Sequence, residues 1–76
     1  MDMTTIDAIK EALLKENQDF RDLVQKHQSY EKRLSEIASL TYPSEEELLE
    51  ESILKKKKLA VKDEIYEMIS KYAASN

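Results

Sequence analysis

Apolar residues recur through the first half of the chain at Ile6, Ile9, Leu13, Phe20, Leu23, Tyr30, Leu34 and Ile37, with Glu16 and His27 completing the series. The steps alternate between three and four, the spacing of one helix face and of a heptad seam sustained over about five heptads. This pattern predicts a first helix over residues 6–39. Thr4 or Thr5 is the expected N-cap. Asp7 and Glu11 complement the positive end of the helix dipole, and Lys32 and Arg33 the negative end. One weak point lies at Asn17-Gln18-Asp19. There Asp19 is the expected cap of a fresh helix, with Asp22 in its first turn; a break would leave a kinked or separate short N-terminal helix.

The pattern stops at Leu40-Thr41-Tyr42-Pro43. Pro43 has no backbone N–H and turns Tyr42 away from the helical region, so residues 40–43 form a turn. Ser44-x-x-Glu47 is a capping box, followed by a second helix over 44–74. Its apolar residues are Leu48, Leu54, Leu59, Val61, Ile65, Tyr66, Met68, Ile69 and Tyr72, spread over roughly half the circumference at 100° per residue. Leu49, Ile53 and Ala60 make a shorter stripe on the opposite side. So short a connection predicts antiparallel neighbours. The register proposed from the sequence sets Leu34 against Leu48, Leu23 against Leu59 and Leu13 against Ile69.

Composition sharpens this picture at one point. The chain has no Gly and a single Pro, which disfavours turn-rich β folds, and 37% of its residues are charged. The expected fold class is therefore all-α: an antiparallel two-helix, coiled-coil-like hairpin forming a single domain over residues 1–76. With no Cys, thiol chemistry and disulfide staples are excluded. No run of apolar residues is long enough to span a membrane, and residues 1–5 lack the apolar core of a signal peptide. The expected location is cytoplasmic. The net charge of −4 argues against general nucleic-acid binding.

Few side chains suggest chemistry. His27, the only histidine, falls on the seam, where a polar residue that sets register is the favoured reading over a metal ligand or pH switch. Lys55-Lys56-Lys57-Lys58 with Lys62 is a basic cluster, and Lys55, Lys58 and Lys62 share one side as a candidate anion patch. Aromatics are not interleaved with it, as single-strand binders require, and acidic residues precede it. The carboxylates lack a partnered arrangement, and without Gly there is no phosphate-cradling loop. The expectation is no enzyme, no cofactor, no metal and no small-molecule substrate. The wide apolar face holds the most functional content. Tyr30, Leu54, Val61, Ile65, Met68 and Tyr72 are the candidate partner-facing strip.

Two segments resemble a known family. Phe20-x-x-Leu23 with His27 one heptad on, and Leu54-Lys55-Lys56-x-Lys58-Leu59-x-x-Lys62-Asp63-Glu64-Ile65, are similar to the motifs of the small bacterial YdcH-like proteins, an uncharacterised family. The resemblance covers about residues 17–69. It implies a helical hairpin and transfers no catalytic residues. The functional expectation is a protein–protein interaction module, either a homodimer or bound to an unidentified protein partner. A weak nucleic-acid or anionic-surface binder using the run Lys55–Lys58 is the alternative.

Overall fold

The computed structural model describes residues 3–75, with side chains from Thr5 onward. These residues form three helices, α1 (Met3–Glu16), α2 (Gln18–Ala38) and α3 (Glu45–Ser75), and no strand. The all-α class is as expected. The helices number three among the described residues because the first long helix is interrupted at Asn17, which gives the separate short N-terminal helix expected of a break at Asn17-Gln18-Asp19.

The interruption is one residue long and satisfied on both sides. Asn17 is extended (φ −127°, ψ 113°), and its side-chain oxygen accepts from the backbone N–H of Phe20 at 3.1 Å. A break there costs the carbonyls of Leu14 and Lys15 their usual helical donors. The Arg21 guanidinium replaces them, donating to Leu14 O at 2.8 Å and Lys15 O at 3.2 Å. Asn17 thus takes the capping role expected of Asp19, while Asp22 accepts from the Gln18 amide at 2.9 Å. At the other end of the break, α1 already begins at Met3, which puts Thr4 and Thr5 inside its first turn instead of ahead of it.

The break lets α1 lie on the other two helices. Leu13, Phe20 and Ile69, one from each helix, are buried together, with Ile9, Val24, Ile65, Met68 and Tyr72 packed around them. Phe20 is the most enclosed, at 1% exposure. Phe20 stands at the start of α2 and Ile69 near the end of α3. At the opposite end, Arg33 of α2 meets Glu50 of α3, so α2 and α3 run in opposite directions. Ile37 and Val61 are buried along the same contact.

A chain without Gly lacks the residue that most readily forms the left-handed helix cap. α2 ends by tightening: Ser39 N–H donates to Ser35 O and Glu36 O, Leu40 N–H to Ile37 O, and the Ser39 hydroxyl to Glu36 O at 2.7 Å. Ser39 itself stays right-handed, and no described residue has positive φ. α3 opens with the capping box read from the sequence. Ser44 N–H donates to Glu47 Oε1 at 2.8 Å, and Glu47 N–H donates to Ser44 Oγ at 3.1 Å.

Leu13 and Ile69 share the core, as the proposed register has them, while Leu48 and Leu59 leave half or more of their surface exposed. Glu16 is exposed as well, since the break at Asn17 ends its place on the seam.

Two substitutions test this account. Phe20→Ala is expected to cost about 3–5 kcal/mol, a large share of the roughly 4–11 kcal/mol typical of a chain this size, and to leave a partly unfolded protein in urea titrations. Asn17→Ala is expected to cost about 1 kcal/mol, while Asn17→Asp, which keeps the acceptor, costs much less. Equal losses from the two Asn17 variants would contradict the capping role.

Candidate functional site

The residues expected to face a partner turn out to face inward. Val61 is buried, and Leu54, Ile65, Met68, Tyr72 and Tyr30 are half-buried. Ile65, Met68 and Tyr72 pack on the Leu13–Phe20–Ile69 core. The wide face of α3 is occupied chiefly by this chain's own α1 and α2.

The candidate anion patch is also drawn into internal contacts. Lys55 Nζ lies 3.6 Å from Glu51, one helical turn back. Lys58 Nζ reaches across to Glu31 of α2 at 3.8 Å. Lys62 Nζ sits 5.9 Å from the centre of the Tyr66 ring, within cation–π range. The three lysines are thus engaged separately instead of converging on one point.

His27 is 23% exposed, with Nδ1 3.8 Å from Glu31 Oε1. It lies beside an open cleft of about 300 Å³, whose apolar floor includes Phe20, Val24 and Ile65 and whose rim carries Lys10, Glu31 and Lys62. Among the described residues no three His, Cys, Asp or Glu side chains gather as a metal would require, and no helix is long and apolar enough to cross a membrane.

The strongest polar contact between helices was not foreseen. Arg33 Nε and Nη2 donate to the two oxygens of Glu50 at 3.0 and 2.8 Å, a fork-to-fork pair, and Nη1 reaches Glu36 at 3.2 Å. Sequence reading gave Arg33 only a dipole role. A signal was available: residues 33 and 50 are equidistant from the middle of the connection. The pair holds the Glu50 carboxyl below its usual range and the guanidinium above its own. The Ser44 backbone N–H, then its hydroxyl, hold the Glu47 carboxyl low as well.

What remains open is the outer side of α3, opposite the packed face. Leu49 is 63% exposed, Leu59 59%, Leu48 50% and Ile53 43%. Stepped at 100° per residue, they fall with Ala60 and Tyr66 on one side of the helix. Leu49, Ile53 and Ala60 were visible in the sequence as a second stripe. Leu48, Leu59 and Tyr66 were assigned to the inner face and join the outer one instead. Exposed apolar residues gathered on one side of a helix in two rows, with Ser52 and Lys56 between them, are a recognition feature, unlike scattered exposed leucines.

A family model described as a protein of unknown function (DUF465) matches residues 20–69, from Phe20 of α2 to Ile69 of α3, leaving α1 outside the match. No curated protein and no solved structure matches the chain.

The depressed carboxyls have a pH consequence. A carboxyl with a lowered folded value adds stability that is full above its ordinary value of 4.5 and is lost as the pH falls through the folded value. The urea midpoint is therefore expected to drop below about pH 4.5, and by less in a Glu47→Gln/Glu50→Gln double variant. Identical pH profiles for the two proteins would contradict the contribution of these pairs.

Proposed function

The chain belongs to the family described as proteins of unknown function (DUF465), and since that description carries no activity we propose a role from the molecular surface: a protein–protein interaction module presenting the outer face of α3. The observation carrying this reading is the exposed run of Leu48, Leu49, Ile53 and Leu59 on a helix whose opposite face is already packed. Apolar side chains at helical spacing, flanked by Glu and Lys, fit helix-on-helix or helix-in-groove recognition, in which burial gives affinity and charge sets orientation. The antiparallel pair of α2 and α3 is the hairpin scaffold in this reading, and α1 completes its core. The reading assigns no catalysis. It places the chain in the bacterial cytoplasm, on the absence of Cys and the likeness to YdcH-type proteins. The nucleic-acid alternative loses support from the separate internal contacts of Lys55, Lys58 and Lys62.

A photo-crosslinking residue in place of Ile53, expressed in the native host, tests the reading. Protein adducts are expected at position 53 and not at Gln25, an exposed position on α2. No adduct at 53, or equal labelling at both positions, would overturn it.

A further inference from the structure

We propose that the outer face of α3 is covered by a second copy of this chain, the two α3 helices lying antiparallel about a two-fold axis level with residue 54. The proposal rests on the reading of that face as an interaction surface and names its partner.

Charge selects the partner and the direction. From Glu45 to Glu51 the helix carries five carboxylates and no cation; from Lys55 to Lys62 it carries five lysines and no anion. Two such helices in parallel register set glutamates on glutamates and lysines on lysines. Antiparallel about residue 54, the acidic half of each helix runs alongside the basic half of the other, with Glu46 level with Lys62, while Glu50, Glu51, Lys57 and Lys58 stand nearer the packed side than the outer face. Internal ion pairs already engage Glu50, Glu51, Lys55 and Lys58. Glu46 and Lys56 form no ion pair among the described residues, and Lys56 falls on the outer face itself. One level, Glu45 against Asp63, is like on like, with Lys62 adjacent to relieve it.

The apolar positions have the same symmetry. Leu49 becomes level with Leu59 of the other copy and Leu48 with Ala60, while Ile53 lies beside the axis. A face shaped for an unrelated partner has no reason to repeat itself about a point, whereas an isologous interface must. From Leu48 to Tyr66 the strip spans roughly 27 Å at 1.5 Å per residue and is about 11 Å wide. That is on the order of 300 Å² per copy before side-chain relief, below the roughly 1,000 Å² total of a stable specific interface, so the dimer is a weak one that forms within a concentration range that can be titrated.

The absence of native Cys makes the test direct. Leu49→Cys and Leu59→Cys are made separately; both positions are exposed, and circular dichroism checks that each variant keeps its helicity. A disulfide needs Cα atoms within about 7 Å, whereas position 49 of one copy lies roughly 15 Å along the axis from position 49 of the other. Under mild oxidation the mixture is expected to give a 49–59 covalent dimer, and neither variant alone should give one. The unmodified chain is expected to move from 8.9 kDa toward twice that mass in light scattering between micromolar and near-millimolar protein, and less so in high salt. Self-linking of each variant would overturn the antiparallel arrangement. A mass of 8.9 kDa at every concentration would overturn the second copy as partner. In that case a heavier protein adduct at position 53 would leave the interaction reading standing, and the lack of any adduct would remove both.

Discussion

Phe20 reaches Leu13 and Ile69 together only because the helix stops for one residue at Asn17. Without that stop, α1 would continue the line of α2 and its apolar side chains would run past the end of the core. A two-helix pair of this length offers each side chain neighbours on one flank only, and small chains fold when a further layer closes the core. The stop is inexpensive because the freed groups are re-paired locally. The Asn17 amide takes the Phe20 N–H, and Arg21, one turn further on, takes the Leu14 and Lys15 carbonyls. One polar pair thus converts a straight seam into a closed three-helix core.

The two ends of the molecule are secured by different means. At the closed end Leu13, Phe20 and Ile69 hold three helices by apolar burial. Near the connection no third helix is present, and the forked Arg33–Glu50 pair joins α2 to α3 instead, just beyond the Ser44–Glu47 box that starts α3. Both Arg33 and Glu50 remain well exposed, so the pair contributes orientation more than stability. This division fits the surface: the outward leucines cluster on the half of α3 nearest the connection, where the core is thinnest.

What the sequence disclosed follows from which signals are local. Pro43, Ser44 and Glu47 act within a few residues, and the helix start they predict is the one found. The weakness at Asn17 was legible too, but its cap was assigned to Asp19, since Asn and Asp are equivalent capping residues and the choice depends on where α1 must turn. The heptad seam of α2 was right from Phe20 to Ile37. The inner face of α3 was only half right. Leu48 and Leu59 lie about as well on a helical period as Leu54 and Val61, and a helix apolar on two opposite sides does not declare which side its neighbours will take. Leu54, Val61, Ile65, Met68 and Tyr72 take the inside because their stripe ends on the Leu13–Phe20–Ile69 core, where Ile65, Met68 and Tyr72 pack against residues from all three helices.

That second stripe is the feature the monomeric fold leaves without a purpose. An exposed Leu costs little singly, but several on one helix face are an aggregation hazard unless something covers or orients them. Charge supplies the orientation: five glutamates followed by five lysines make the helix attract a reversed copy of itself and repel a parallel one. In the proposed pairing the lysine run is the counterpart of the acidic segment before it. Its members nearest the core are tied to Glu31, Glu51 and the Tyr66 ring, and those pointing outward stand beside the apolar stripe they would flank. A basic segment built to track phosphates needs no acidic counterpart of equal size one turn upstream. A segment built to pair with its own reverse needs one.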